Sequence, residues 1–479
     1  MNNGNRQKPG FTYLRIARII QHQIMDGTLR PGDRLLSLRT VCQEYGISQN
    51  TARSAYYYLE GKGLVEARPQ SGYFVLHPLR PLPSLPHPTT PSPTACEGDS
   101  DVLVGQVYGT LGEPGCLPLS LATPAVELLP IARLNKGLAQ ATRSLSGSGV
   151  TYERVEGNEQ LRRQIARWAF TMECSLAANE VITTSGCLNA LSYCLMAVAA
   201  RGDTIAMESP VSFGMLRLAQ ALGLRVLELP MHPQTGVDLD AYETALREGR
   251  VRASLLIPNF SNPLGSCMPD GHKREAVLLA ERYGVPLIEN DINGDVYFGA
   301  QRPRSCKTYD TSGIVLWCGS VSKTLAPGYR VGWVVPGRFH EQVLRMKLYH
   351  SISTVPLTEE VVARFLENGR YENHLRKLRR VLHANQTNFA RAIAGQFPDG
   401  TRASHPQGGF VQWVELPRPI DTLALYHRAL ARGISFAPGR IFTLQNQYSN
   451  CLRLNYGLVW NEELENILLR LGQLARSRV

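Results

Sequence analysis

At 479 residues the chain is too long for one hydrophobic core, so two or three domains are expected. Its 43% hydrophobic and 19% charged residues are those of an ordinary globular protein. Fifty-one Lys and Arg against 40 Asp and Glu leave a net +11, and ten scattered cysteines, without a CxxC pair or a His cluster at metal spacing, argue against a disulfide framework or a metal site.

In chain order, the opening MNNGNRQKPG lacks an apolar run, so no signal peptide is expected. Residues 1–76 hold ten basic and five acidic side chains, about half the surplus charge in the first sixth of the chain, as in a polyanion binder. Apolar spacing predicts a helix over Tyr13–Asp26, ended by Gly27. A second follows over Ser37–Tyr45, stopped at Gly46. Ser48 is an N-cap for a third, Gln49–Glu60. Leu64–Arg68 and Gly72–Leu76 then read as a hairpin, which makes 1–76 a mainly helical, winged helix-turn-helix domain.

The blocks G-T-L-R-P-G-D-R-L-L-S-L-R, G-I-S-Q-N-T-A-R, L-E-G-K-G-L-V and R-P-Q-S-G-Y-F-V resemble the GntR superfamily over about 65 residues, in order and at its spacing. The resemblance implies contacts to double-stranded operator DNA from Arg39, Gln49, Asn50, Thr51 and Arg53, with Ser71 and Gly72 at the wing tip. Polar side chains at the start of a helix in the major groove reach base edges, and arginines anchor phosphates. Leu36 stands where the family usually has proline and Gln49 where arginine is common, which bears on operator preference.

Residues 77–94 contain seven prolines and favour extended polyproline geometry, so 77–112 reads as a linker unable to join a core. From 113 to 479, strand-like runs (Val181–Thr184, Thr204–Met207, Arg225–Leu229, Ala253–Ile257, Pro286–Glu289, Ile314–Cys318) alternate with amphipathic helices. That pattern predicts an α/β domain with a mainly parallel sheet. The longest apolar stretch, Leu188–Ala200, is broken by Asn189 and Ser192 and is too short to span a bilayer.

Within this body, Ser320-Val-Ser-Lys-Thr-Leu-Ala-Pro-Gly-Tyr-Arg330 sets one lysine, Lys323, between small hydroxyls and an arginine. That layout suits a phosphorylated aldehyde held as a Schiff base, with hydroxyls and guanidinium facing the phosphate. Thr183-Thr-Ser-Gly-Cys187 closes a strand and opens a helix, whose N-terminal amides bind phosphate.

About 350 residues of the body resemble fold-type I aminotransferases, with a smaller C-terminal α/β subdomain from about 366, and head and body together resemble the MocR subfamily of GntR regulators. The resemblance implies pyridoxal 5'-phosphate on Lys323, a phosphate cup of Ser185, Gly186 and Cys187 with Ser320, Ser322 and Arg330, and Asn262 on the phenolic oxygen. It implies Tyr152 reaching the phosphate of a neighbouring subunit, hence a homodimer, head to tail, in a bacterial cytoplasm. It also implies Arg453 gripping an α-carboxylate, which a bidentate guanidinium suits.

Two positions depart from that pattern. Where aminotransferases place an aspartate beside the pyridine nitrogen, Glu289-Asn-Asp-Ile-Asn293 puts Asn290, and Asp291 should face away because strand side chains alternate. Where a ring-stacking aromatic follows proline by two, Pro210-Val-Ser-Phe213 has serine, leaving Phe213 as the substitute. The expectation is a regulator that senses the coenzyme, or an amino acid or amine through an external aldimine, with poor or absent transamination. Two alternatives stay open: a working aminotransferase, and a body without coenzyme that only dimerises.

Overall fold

The computed structural model describes residues 12–61, 63–68, 71–76, 82–96, 101–109 and 117–477. It divides into two units, 1–82 with 383–395, and 83–382 with 396–479. The expected features at Lys62, Pro69, Gln70, 77–81, 97–100 and 110–116 lie outside the described residues. No helix among the described residues is long and apolar enough to cross a membrane.

In the first unit, α1 (Thr12–Met25), α2 (Leu38–Tyr45) and α3 (Gln49–Gly61) precede the hairpin of β1 (Val65–Arg68) and β2 (Gly72–Val75). Ile16, Ala17, Ile20, Val41, Ala52, Ala55, Tyr56 and Leu59 bury one stripe of each helix, and Val65 and Val75 close the core. Caps set the helix starts: the Ser37 hydroxyl accepts from the Thr40 N–H at 3.1 Å, and the Ser48 hydroxyl from Thr51 at 3.2 Å. Asp33 and Leu35 bond along β2, so the segment before α2 adds a third rung to the wing.

The second unit is built on a seven-stranded sheet. Its strands are β3 (Ile182–Thr184), β4 (Thr204–Glu208), β5 (Arg225–Leu229), β6 (Ala253–Leu256), β7 (Leu287–Asn290), β8 (Val315–Ser320) and β9 (Gly332–Val335). Their order across the sheet is β3-β9-β8-β7-β6-β4-β5. Only β9 runs against the rest. Central strands buried throughout are expected of a sheet covered on both faces. A smaller four-stranded antiparallel sheet holds β10 (Arg402–Ala403), β11 (Val411–Glu415), β12 (Ala437–Pro438) and β13 (Cys451–Asn455), in the order β10-β11-β13-β12.

The proline-rich segment differs from the linker that its composition predicts. Pro83, Pro86 and Thr89 are buried. The carbonyls of Pro83, Leu85 and Pro93 accept from His405, Arg402 and Arg250. Cys96 pairs with Val226 on edge strand β5. The reason is that prolines carry no N–H to satisfy, and extended polyproline backbone turns its carbonyls outward, where body side chains reach them. Residues 101–109, also expected to be linker, form a helix, with Val104 and Val107 buried.

Candidate functional site

Ligands of doubly wound sheets bind beyond the carboxyl ends of the strands, and here five strand ends converge on one cavity of about 250 Å³. Past β3 comes Cys187; past β4, Ser212, Gly214 and Met215; past β6, Asn262; at the end of β7, Asn290; and past β8, Ser322 and Lys323. Arg330, Ile292, Asn293 and Phe410 complete much of the wall.

The Lys323 end is cationic. Its amine donates to the Ala122 carbonyl. Desolvation, then the charges of Arg453 and Arg330, push its pKa down to about 8. At pH 7 about one lysine in ten is therefore the neutral, nucleophilic amine. The Ser320 and Ser322 hydroxyls lie 2.8 Å apart beside it, and Ser320 also receives the Ser322 N–H and donates to the Val331 carbonyl. Ser322 lines the cavity with Ser320 behind it.

Arg330 sits at φ 53°, the left-handed region that costs a non-glycine residue about 1 kcal/mol. From there its guanidinium reaches the Ser185 carbonyl at 3.0 Å. Gly186, at φ 90°, lies directly beneath, and a Cβ there would run into that guanidinium. The helix Cys187–Val198 opens at this point, so its first amides have no intrahelical partner. The Asn189 side chain occupies the Ser185 N–H at 3.1 Å.

The opposite end is neutral. Asn290 donates to the Met215 sulfur at 3.3 Å, and its carbonyl oxygen accepts from the Cys187 thiol and the Ile292 N–H, both at 3.3 Å. Burial pushes the Cys187 thiol up, so it acts as a neutral donor. Asp291 points into the protein instead, accepting from Arg302 at 2.6 Å, Trp317 at 2.9 Å and Asn259 at 2.9 Å. Asn293 lines the cavity and donates to the Phe260 carbonyl at 2.9 Å.

Arg453, on β13, stands one hydrogen bond behind the wall. Its guanidinium donates to Asn262 at 2.8 Å and to the Ser120 carbonyl. It lies 5.0 Å from the Phe442 ring centre and 5.6 Å from that of Phe213. No carboxylate among the described residues pairs with it, and its Nε has no acceptor. Burial alone pulls its pKa down.

The expected ring-stacking substitute, Phe213, is not among the residues lining the cavity. The Phe213 ring packs edge-on against Tyr108 and Phe442, and the cavity is lined instead by its neighbours Ser212 and Gly214. Phe213 is the first residue of the helix Phe213–Ala221 and is buried. Tyr152, expected at the phosphate of a neighbouring subunit, is 80% exposed and does not line the cavity of its own chain. Conversely, Tyr108 lines the cavity from a helix in the stretch read as linker, where no composition signal marks it.

On the head, Arg39, Gln49, Asn50, Arg53 and Ser71 are exposed. Thr51 is half-buried, its hydroxyl 2.8 Å from that of Ser48. Gly72, at the wing tip, adopts φ 103°.

Residues 129–471 match the family model for aminotransferase class I and II, and residues 12–75 that for bacterial regulatory proteins of the gntR family. The chain is 35% identical over 461 residues (96% of it, 98% of the relative) to the uncharacterized HTH-type transcriptional regulator YjiR of Escherichia coli K12. It is 34% identical over 468 residues, 98% of it and 99% of the relative, to YdcR of the same organism. Among solved structures, it is 28% identical to the α-aminoadipate aminotransferase LysN of Thermus thermophilus, complexed with N-(5'-phosphopyridoxyl)-L-leucine. The TM-score is 0.71, over 78% of this chain and 97% of LysN. The chain belongs to the helix-turn-helix regulators that join a GntR-type head to an aminotransferase class I and II body, the MocR architecture.

Proposed function

We propose that the protein is a DNA-binding transcription regulator whose body holds pyridoxal 5'-phosphate at Lys323 and senses the coenzyme, or an amino acid or amine, in the same cavity. The observation that carries this reading is a convergence of cations without acids. Lys323 and Arg330 line the cavity, Arg453 stands behind it without a counter-ion among the described residues, and no Asp or Glu is among the lining residues. Such a site favours a ligand that brings its own negative charge.

The residues fit the coenzyme at its reactive and phosphate ends. Lys323 supplies a depressed-pKa amine, and Ser322, Arg330 and the amides after Gly186 supply a phosphate cradle. Bound pyridoxal phosphate supplies an aldehyde that condenses with amines and a ring that withdraws electrons. Asn262 would orient the ring through its phenolic oxygen. Asn290 would meet the ring nitrogen with a neutral amide, which leaves the ring a weak electron sink. Arg453 would receive the carboxylate of an amino acid if Asn262 yields it. The reading is therefore a sensor with little or no amino-group transfer.

Tyr152, 80% exposed, supports a homodimer in which Tyr152 serves the partner's phosphate. On the head, exposed Arg39, Gln49, Asn50 and Arg53 are placed to read operator DNA, and a bacterial cytoplasmic location goes with that role.

The test is the visible absorption spectrum of the purified protein with added pyridoxal phosphate, beside Lys323→Ala. The expected result is a coenzyme–lysine band in the wild type that the variant lacks. No band in either would reduce the body to a dimerisation scaffold. A band with rapid turnover of amino acids, above roughly 1 per second, would make it a working aminotransferase.

A further inference from the structure

We propose that Thr89–Ser92, inside the proline-rich strap, is the segment through which occupancy of the Lys323 cavity is passed to the chain leading to the DNA-binding head. This rests on the sensing role proposed for that cavity. One loop lines the cavity, a second packs against Arg453 behind its wall, and both bond this segment.

The first loop follows β4. Its Ser212, Gly214 and Met215 line the cavity. At its start the Ser209 carbonyl accepts the Thr89 hydroxyl at 2.7 Å. Thr89 is otherwise locked to Met231: its N–H donates to the Met231 carbonyl at 2.9 Å, and the Met231 N–H donates to its hydroxyl at 2.7 Å.

The second loop runs between β12 and β13. Its Phe442 lies under the Arg453 guanidinium and accepts the Val211 N–H at 2.9 Å, which ties the two loops together. Three residues on, Gln445 bonds Ser92 twice, accepting its N–H at 2.8 Å and donating to its carbonyl at 3.1 Å. The Ser209 hydroxyl joins this loop as well, 3.0 Å from that of Tyr448.

The strap is suited to carry a displacement. Pro86, Pro88, Pro91 and Pro93 flank and interrupt the segment, and a proline-rich backbone is a semi-rigid spacer rather than a slack coil. A ligand that orders both loops would strengthen the bonds they make to Thr89 and Ser92, and the coupling is reciprocal by linkage.

The experiment is hydrogen exchange of peptides covering 82–96 in the full-length protein, with and without pyridoxal phosphate, beside the visible spectrum. Pyridoxal phosphate at about 100 times its Kd should slow exchange at Thr89 and Ser92 by about tenfold or more. Thr89→Val, which keeps the shape and loses the hydroxyl, should bind the coenzyme with an unchanged spectrum yet lose that protection. Thr89→Ser should restore it.

A normal band with unchanged exchange in 82–96 of the wild type would overturn the inference while leaving the site reading intact. So would full protection in Thr89→Val. Should that variant not fold, the wild-type exchange decides alone. No band at all would overturn the site reading and this inference with it.

Discussion

The two ends of the cavity make opposite use of the same scaffold. At one end Lys323, Ser322 and Arg330 gather positive charge and hydroxyls, with the lysine pKa drawn down to about 8. At the other, Asn290 makes only neutral bonds, to Met215, Cys187 and Ile292, while the nearby carboxylate of Asp291 is consumed by Arg302 and Trp317. The difference teaches that attachment of a coenzyme and electron withdrawal by it are separable. The first needs an amine and a phosphate cradle, the second a charge at the ring nitrogen. A protein that keeps the first and lacks the second can bind without turning over.

The sharpest way to break that contrast is Asn290→Asp. A carboxylate at this place should raise amino-group transfer by about 100-fold over wild type, the scale of adding one charged group to a low-dielectric site. Single-turnover absorbance with an amino acid measures it, and turnover no higher than wild type would mean the ring end is not the limiting element.

Arg453→Ala sharpens the lysine end. Wild-type protein loaded with coenzyme should bind an amino acid more tightly than the amine lacking its carboxylate, by about 30-fold, the worth of hydrogen bonds to a charged group. The variant should lose that preference and keep its coenzyme band. Equal selectivity in both proteins would assign Arg453 a purely structural role.

The smallest effect is on pH dependence. Because Lys323 is depressed to about 8, its reactive neutral fraction grows as pH rises through that value. The rate of coenzyme attachment should increase about tenfold from pH 7 to pH 9 and then level off, whereas an unperturbed lysine would still be climbing. Stopped-flow absorbance distinguishes the two profiles.

Much of the fold can be read directly. The strand runs from Val181 onward fall where the sheet's strands are because buried parallel strands are near-continuous apolar runs. The head helices are legible because their caps and glycine stops are local, as with Ser37, Ser48 and Gly46. Local alternation also suffices for Asn290 and Asp291, since adjacent strand residues take opposite sides.

What was not legible depends on partners distant in the chain. Tyr108 and Ala122 come to the cavity from segments with no motif of their own. Phe213 sits one position past the serine that lines the wall, and its ring goes to Phe442, more than 200 residues on. The proline-rich stretch is misread because its composition describes an isolated chain. Whether its carbonyls meet water or Arg402, His405 and Arg250 is decided elsewhere.

The two-part architecture, the helix-turn-helix head, the parallel sheet and a motif lysine, Lys323, that lines the cavity were all legible locally, because each rests on short-range periodicity, caps and contiguous motifs. Long-range packing alone set the proline segment as a strap on the body, bonded to one loop that lines the cavity and to another that packs behind its wall. It also left Arg453 without a carboxylate partner among the described residues. Both depend on which distant groups are left over once the sheets have closed, and no local pattern records that.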